Sequence, residues 1–248
     1  MEKVTCSSAL KHPFTCIVSG PTQSGKTEWV MNLLLQRDRM IEPPVQRIIY
    51  CYGERQRKLE QLAERIGPAM TLHEGVPTRE MLDNQLGDGN NDESQLLVLD
   101  DLMEDVQNSS LVAELFTRGS HHRNLSVLLI SQNLFVKGRY QRTISLNANY
   151  LVAMKNPRDR SQIMYLARQI FPDRWKLVQQ AYNMATERPH GYLFIDLTQS
   201  MDDRFRFRTN IFNEEGGDNA NYRRCIVYVP QETEAGKKSI NRTLQQRR

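Results

Sequence analysis

The sequence is poor in cysteine and has no long hydrophobic run, and both shortages exclude classes of protein. Its cysteines, Cys6, Cys16, Cys51 and Cys225, are far apart and form no CxxC pair. They encode neither a disulfide framework nor a zinc knuckle, and they favour a reducing compartment. No stretch approaches the ~20 consecutive apolar residues that a membrane-spanning helix needs. Residues 1–12 are polar and lack the apolar core of a signal peptide, so we expect neither a membrane span nor Sec export.

Composition predicts a folded chain whose charge is mildly basic and unevenly distributed. Hydrophobic residues make up 39% and charged residues 25% of the 248 residues, which is enough for a buried core of ordinary size. The net charge of +4 does not by itself indicate a nucleic-acid partner. Acidic residues dominate positions 74–105, whereas basic residues dominate positions 137–208 and 237–248. The terminal basic run is typical of a solvated arm.

Five short apolar segments predict a parallel β-sheet. They are rich in β-branched residues, are apolar at nearly every position and alternate with helical patterns, which is typical of strands covered by helices on both faces. The predicted strands are Thr15–Ser19, Arg47–Tyr52, Gln95–Asp100, residues 126–131 and residues 149–154. The predicted fold class is therefore α/β, with a mostly parallel central sheet.

The sequence after the fifth strand predicts an extension of the same sheet and then a tail. Two helices and an antiparallel strand pair are expected at Ser161–Ile170, 173–185, 191–197 and 204–212. The segment NEEGGDNAN that starts at Asn213 has the composition of a linker. We therefore predict one domain over residues 1–212 and a linker with a basic C-terminal tail over residues 213–248.

A glycine-rich segment follows the first predicted strand directly. It reads GPTQSGKT and comprises Gly20, Pro21, Thr22, Gln23, Ser24, Gly25, Lys26 and Thr27. The segment matches the P-loop pattern G-x-x-x-x-G-K-[ST] in the required context of strand, loop and helix. Backbone N–H groups of such a loop bind nucleotide phosphates, the lysine bridges the β- and γ-phosphates, and the threonine hydroxyl is a Mg²⁺ ligand. We therefore predict a nucleotide and Mg²⁺ site in which Lys26 and Thr27 have these roles.

Two adjacent acids end the third predicted strand, in the sequence LLVLDD. Asp100 is the candidate ligand for Mg²⁺, and Asp101 is the candidate general base that polarises the attacking water. This division of roles is chemically sound, because the metal neutralises one carboxylate and leaves the other able to accept a proton. The alternative interpretation is that both acids only cap the next element.

Missing motifs and the fourth strand indicate the class of P-loop protein. The N-K-x-D and D-x-x-G motifs of GTPases do not occur, and small-molecule kinases usually have no second acid beside the metal aspartate. The fourth strand ends in Ser131 and Gln132, which favours an ATPase with a polar sensor beside the γ-phosphate. Gln132 can donate to a phosphate and accept from water. A surface glutamine at a strand end is an equally simple interpretation.

Four segments together resemble the FtsK/HerA superfamily of DNA-pumping ATPases. They are GPTQSGKT, LLVLDDLM, HHRNLSVLLISQNLF and NYLVAMKNPRD, and they lie between residues 12 and 212. Within that superfamily the chain looks like the compact genome-packaging ATPases of poxviruses, virophages and Polinton-like elements. The resemblance implies an ASCE/RecA-like P-loop NTPase fold, a motor domain over residues 1–212 and a sensor role for Gln132.

The resemblance also implies a function, which is ATP-driven translocation of double-stranded DNA into a viral capsid. In such motors an arginine before the fourth strand acts across the subunit boundary, and the matching position is Arg123, with Arg118 as the rival. A finger that acts in trans requires a head-to-tail homo-oligomeric ring. A capsid or portal-vertex partner is also implied, as is a location in the host cell during virion assembly or in association with the virion.

Two basic clusters are candidate contacts for the DNA backbone. Lys137, Arg139 and Arg142 follow the sensor strand, and such cations bind phosphates without reading sequence, as a pump requires. A subunit interface or plain solvent exposure would explain them equally well. The alternating segment RFRFR at residues 204–208 predicts three cations on one strand face, which could line a channel, bind an acidic face of a neighbouring subunit or simply be exposed on an edge strand.

Two other functions stay open at the level of sequence. A helicase or conjugation-type DNA pump would share the nucleotide site and act on a different form of nucleic acid. A nucleotide-gated assembly scaffold would bind ATP without sustained turnover. His121 and His122 are adjacent and point apart on any regular element, so they predict no metal site.

Overall fold

A computed structural model describes residues 9–86, 93–102, 106, 108–119, 124–135, 139–212, 225–231 and 239–244. The strands in chain order are β1 Leu10–Lys11, β2 Thr15–Ser19, β3 Ile41–Glu42, β4 Arg47–Tyr52, β5 Met70–Glu74, β6 Gln95–Asp100, β7 Leu125–Ser131, β8 Tyr150–Met154, β9 Tyr192–Asp196, β10 Phe207–Thr209, β11 Ile226–Gln231 and β12 Ser239–Leu244. β1 and β3 form a small parallel sheet of their own.

Helices connect the strands. The α-helices of the described residues are α1 Lys26–Leu35, α2 Arg37–Met40, α3 Arg57–Ile66, α4 Arg79–Leu86, α5 Ser110–Glu114, α6 Gln141–Leu146, α7 Ser161–Ile170 and α8 Trp175–Ala185. Short 3₁₀ turns lie at Gly67–Ala69, Pro172–Arg174 and Asp203–Phe205, and α5 continues into a π-helical turn at Leu115–Gly119. Within the described part of the chain, no helix is long and apolar enough to cross a bilayer.

The other ten strands form one mixed sheet. Their order is β12-β11-β10-β9-β8-β2-β7-β6-β4-β5. The strands from β8 to β5 are parallel, whereas β9 to β12 continue the sheet in antiparallel pairings. This arrangement confirms the predicted α/β fold with its mostly parallel sheet and its antiparallel C-terminal extension.

Helices cover both faces of this sheet, so the central strands are buried on each side. On β4, Ile49 belongs to one hydrophobic cluster and Tyr50 to the opposite one, as expected when successive side chains alternate between faces. Residues of α1 and α3 pack into the Tyr50 cluster, and residues of α5 to α8 pack into the Ile49 cluster. Double coverage explains why the strands are apolar at nearly every position.

The sheet does not stop at residue 212. The segment expected to be a linker and tail contributes β11 and β12, and β11 pairs with β10 through Arg208↔Val227 and Thr209↔Ile226. Cys225, Ile226, Val227 and Tyr228 are buried, so this strand is part of the core. The basic residues Lys237, Lys238, Arg247 and Arg248 lie outside the described residues.

The predicted comb of arginines at residues 204–208 is wrong. Arg204 lies in the 3₁₀ turn Asp203–Phe205 and pairs with Asp202 at 2.7 Å. The strand begins only at Phe207. Arg208 is 1% exposed, binds Asp196 Oδ2 at 2.6 Å and packs over the ring of Phe194. The burial of Arg208 excludes it from lining a channel, because its charge is already neutralised inside the domain.

Candidate nucleotide-binding site

The strand order brings the predicted site residues to one edge of the sheet. β7 lies between β2 and β6, and all three strands run in parallel. Carboxyl ends of parallel strands share one edge, where ligands of open α/β sheets bind. The P-loop after β2, the acids at the end of β6 and Gln132 after β7 therefore meet there, although they are far apart in sequence.

The P-loop turns tightly between β2 and α1. A Cβ on Gly20 would lie 2.6 Å from Met154 Cβ and 2.7 Å from Ser24 Oγ, so only glycine fits this position. Gly25 has φ +100°, a left-handed conformation that disfavours side chains, and α1 begins at Lys26 directly after it. The loop therefore presents the amino end of α1 to the space above the sheet.

This space is a cavity of about 800 Å³. It is lined by Thr22, Gln23, Ser24, Gly25, Lys26, Thr27, Glu28, Trp29, Asn32, Gln56, Lys58, Asp100, Asp101, Ile130, Ser131, Gln132, Met154, His190, Tyr192 and Phe212. The P-loop side chains, both acids and Gln132 thus share one cavity whose volume suits a small-molecule ligand. Gly20 and Pro21 form the start of the loop behind it.

Lys26 is folded back onto its own loop. Its Nζ donates to the carbonyl oxygens of Gly20 at 2.7 Å and Pro21 at 2.9 Å. Burial lowers the pKa of Lys26, and the charges of Asp100 and Asp101 oppose that shift. The ammonium is therefore held within the influence of both carboxylates and can exchange its two carbonyl partners for phosphate oxygens.

Asp100 accepts a hydrogen bond from a side chain on the neighbouring strand β4. The hydroxyl of Tyr50 on β4 donates to Asp100 Oδ2 at 2.7 Å. Burial raises the pKa of Asp100, the hydrogen bond from Tyr50 lowers it, the charge of Asp101 raises it and the charge of Lys26 lowers it. Burial also raises the pKa of Tyr50, so its phenol keeps the proton that it donates. Tyr50 carries no sequence signal for this role, because the contact depends on strand register.

Asp101 has a different environment from Asp100. It is exposed, lines the cavity and has φ +55°, in the left-handed region. Its carbonyl oxygen would lie 2.5 Å from a Cβ on Gly53, so the chain after β4 needs glycine to pass the Asp101 backbone. The two acids therefore differ in environment, with a half-buried, hydrogen-bonded Asp100 and an Asp101 open to solvent.

The residues present fit a Mg²⁺ ion bound together with a nucleotide. Thr27 and Asp100 both line the cavity, and the described residues contain no group of three or more acidic, histidine or cysteine side chains that could hold a metal. Mg²⁺ in nucleotide sites commonly uses one or two protein oxygens and completes its shell with phosphates and waters. The buried Ser24 hydroxyl has no partner among the described residues and is a further donor in this cavity.

An aromatic end of the cavity was not foreseen from the sequence. Trp29 packs against Tyr192 at 6.2 Å and against Phe212 at 5.2 Å between ring centroids. The amide of Ile211 donates to the Tyr192 hydroxyl at 3.0 Å, which fixes the backbone just before Phe212. Three rings from α1, β9 and the segment after β10 therefore form an apolar wall beyond the P-loop.

The residues that follow β7 are hydrogen-bonded to α7. Gln132 is exposed and lines the cavity. Gln162 on α7 accepts from the Leu134 amide at 2.8 Å, and its Nε2 donates to Asn133 Oδ1 at 3.2 Å and to Asp159 Oδ2 at 2.7 Å. Residues directly after Gln132 are therefore linked to a second helix.

The other predicted residues either lie outside the described part of the chain or are described away from the cavity lining. Arg123 and Lys137 lie outside the described residues, and the backbone of Arg118 lies in the π-helical turn Leu115–Gly119. Arg139 is exposed and packs over the ring of Tyr140, and Arg142 is exposed on α6. Neither Arg139 nor Arg142 lines the cavity, so their roles stay predictions.

Comparison of folds identifies viral packaging enzymes among the similar structures. B204, described as the DNA-packaging ATPase from Sulfolobus Turreted Icosahedral Virus, aligns with 77% of this chain and 96% of its own at a TM-score of 0.52 and 10% identity. B204 from Sulfolobus turreted icosahedral virus 2, a genome packaging NTPase in complex with AMPPCP, aligns with 76% of this chain and 94% of its own at a TM-score of 0.50 and 12% identity.

A second kind of similar structure is a secretion ATPase. The cytoplasmic domain of EccC, a Type VII Secretion ATPase from Thermomonospora curvata, covers 78% of this chain and 26% of its own at a TM-score of 0.49 and 15% identity. Neither the protein-family models nor the curated proteins give a sequence match. At these identities the likeness shows the fold alone, which is a P-loop NTPase fold like that of the B204 structures.

Proposed function

We propose that this protein is an ATPase motor that moves double-stranded DNA into a viral capsid. One observation carries the proposal: a single cavity contains Lys26, Asp100, Asp101 and Gln132. The same combination of phosphate-binding loop, paired acids and polar sensor is what ATP hydrolysis coupled to movement requires. The fold similarity to the B204 packaging enzymes supports the choice of DNA as the cargo.

The chain's own groups account for hydrolysis. Backbone amides of the P-loop and the Lys26 ammonium bind the phosphates once Lys26 leaves the Gly20 and Pro21 carbonyls. Asp101 takes a proton from the water that attacks the γ-phosphorus, and the bond to the β–γ bridging oxygen breaks to give ADP and phosphate. Thr27 and Asp100 would hold Mg²⁺, which when bound neutralises charge on the phosphates.

The aromatic end of the cavity is the proposed binding surface for the nucleoside. Trp29, Tyr192 and Phe212 all line the cavity, and their packed rings offer an apolar wall. Of the three, only Phe212 is half-exposed, so its ring is available to stack on a base. We assign the adenine base to this wall.

Loss of the γ-phosphate is transmitted to other parts of the domain through the end of β7. Gln132 would exchange a phosphate contact for a water contact when the γ-phosphate leaves, and the adjacent Asn133 and Leu134 are bound to Gln162 on α7. Further along the chain are Arg139 and Arg142, the proposed contacts with the DNA backbone together with Lys137. Phosphate contacts of this kind suit a motor that must accept every sequence.

The motor is proposed to work as a homo-oligomeric ring. Arg123 of one subunit, with Arg118 as the alternative, would reach the γ-phosphate bound by its neighbour and stabilise charge in the transition state. A capsid or portal-vertex protein is the proposed docking partner, and the host cell during virion assembly is the proposed place of action. Mixing Arg123→Ala with Lys26→Ala subunits tests the finger. Activity recovered in mixed rings supports action in trans, and full activity of Arg123→Ala alone removes Arg123 from this role.

Dependence on nucleic acid tests the motor directly. The ATPase rate is measured without DNA, with duplex DNA and with single-stranded DNA over a series of salt concentrations. Stimulation by duplex DNA that falls steeply with salt is expected, and Arg139→Ala with Arg142→Ala should weaken it. Stimulation by single strands alone would favour a helicase, and no stimulation by either form would argue against DNA as the cargo.

A further inference from the structure

Tyr50 is placed to control Asp100 from outside the cavity. It lies on β4, is completely buried and does not line the cavity. In the pairing of β4 with β6, the register partner of Asp100 is Tyr52, so Tyr50 is its diagonal neighbour on the same face. With strands ~4.8 Å apart and a rise of ~3.3 Å per residue, such neighbours are ~8 Å apart at the backbone, a gap that a tyrosine side chain can bridge.

The hydrogen bond defines which part of the carboxylate is free. Tyr50 donates to Oδ2 of Asp100 at 2.7 Å and so occupies that oxygen from the neighbouring strand. The other oxygen keeps its lone pairs for a ligand in the cavity that Asp100 lines. Because the Tyr50 ring is locked in the core, the bond also fixes the rotation of the carboxylate.

We propose that Tyr50 is a positioning residue for the Mg²⁺ ligand Asp100. The inference rests on the proposed function, because it assigns Asp100 to the metal that accompanies ATP. Hydrogen bonds that orient metal-binding carboxylates commonly change metal affinity by about 10–100-fold when they are removed. Tyr50 therefore sets how tightly the site holds Mg²⁺, without touching the nucleotide.

Tyr50→Phe isolates this role because it keeps the buried ring and removes only the hydroxyl. The matched control is Tyr150→Phe, on β8. It removes a buried hydroxyl that accepts a hydrogen bond from the Lys11 amide at 3.0 Å. Tyr150 is 2% exposed and does not line the cavity. Both variants are first compared with wild type by urea unfolding, so that a general loss of structure is recognised.

The measurement is an isothermal calorimetric titration of Mg²⁺ into the full chain saturated with AMPPCP. We expect the Mg²⁺ dissociation constant to rise about tenfold in Tyr50→Phe and to stay at the wild-type value in Tyr150→Phe. AMPPCP affinity in EDTA should be unchanged in both variants. Any ATPase activity that Tyr50→Phe loses should return when Mg²⁺ is raised, because the defect is in metal binding.

Failure of this inference is distinct from failure of the proposed function. Wild-type protein that binds AMPPCP, with an identical Mg²⁺ dissociation constant in Tyr50→Phe, would overturn the role of Tyr50 alone. An equal loss in Tyr150→Phe would show a general structural effect and would also overturn it. Wild-type protein that binds no AMPPCP at all would overturn both.

Discussion

At the scale of single residues, Gly53 controls the position of the proposed base. A Cβ there would lie 2.5 Å from the Asp101 carbonyl oxygen, so Gly53→Ala must displace the Asp101 backbone. We expect kcat for ATP hydrolysis to fall at least about tenfold while AMPPCP affinity stays within about twofold, because small misplacements of a catalytic group are costly.

The control for Gly53 is Gly75→Ala, at the end of β5. A Cβ on Gly75 meets nothing within 4 Å, but φ +86° makes any side chain there strained. Gly75→Ala should therefore lower the free energy of unfolding by about 1–2 kcal/mol and leave kcat unchanged. Equal kcat values for Gly53→Ala and wild type would contradict the placement of Asp101.

A variant of Phe212 tests the proposed position of the adenine base. Stacking of a base on an aromatic side chain contributes about 1–3 kcal/mol, so Phe212→Ala should raise KM for ATP at least about fivefold with little change in kcat. Phe205→Ala is the matched control, since Phe205 is half-buried beneath Arg204 and does not line the cavity. Steady-state kinetics of the two variants decides the point, and an unchanged KM in Phe212→Ala would place the base elsewhere.

At the scale of secondary-structure elements, the buried ion pair between β9 and β10 holds the antiparallel part of the sheet. Arg208→Met keeps an unbranched apolar side chain, removes the guanidinium that lies over Phe194 and leaves the buried Asp196 without its cation. Removing one partner of such a pair costs about 3–5 kcal/mol, so the urea midpoint should fall strongly. Arg204→Met, which breaks an exposed pair with Asp202, should change the midpoint much less. Equal midpoints for the two variants would contradict this account.

The turn between β1 and β2 makes stability depend on pH. His12 Nδ1 lies 2.6 Å from Ser126 Oγ on β7, and Nε2 lies 2.9 Å from Asn124 Oδ1. Burial lowers the pKa of His12 from its ordinary value near 6.5, against the effect of the Asn124 hydrogen bonds. Below that value the unfolded chain binds a proton that folded His12 does not, so the free energy of unfolding should fall as pH decreases and level off below the folded pKa.

Urea unfolding between pH 5 and 8 measures this dependence. His12→Gln should remove part of the fall in stability below about pH 6.5, whereas His190→Gln, at an exposed position, should leave it in place. The same pH profile in His12→Gln and wild type would show that His12 does not contribute.

The elements that the sequence predicted well are those whose hydrophobic pattern follows directly from their burial in the fold. β2, β4 and β6 match their predicted bounds, because strands covered on both faces need apolar residues throughout. β5 was missed because it is an edge strand with half-exposed positions. β11 and β12 fall in the segment expected to be a linker and tail, since β11 pairs with β10 and β12 pairs with β11, and no local pattern specifies these pairings.

The candidate site shows the same division. A fixed spacing specifies the P-loop, and an abrupt change from apolar to acidic residues marks Asp100 and Asp101. Tyr50 and Phe212 join the site through strand register and through the path of the chain after β10, which local sequence does not encode. Contacts that arise from tertiary structure need coordinates.

At the scale of the whole molecule, the proposed motor depends on hydrolysis of ATP at the edge of the sheet. The most direct measurement is the steady-state ATPase rate of wild type and Asp101→Asn, with AMPPCP affinity measured alongside. We predict turnover by wild type, and in Asp101→Asn a loss of about 10²–10⁴-fold in kcat with nucleotide affinity retained. Wild-type protein that binds nucleotide without turnover, or an Asp101→Asn variant as fast as wild type, would contradict the account.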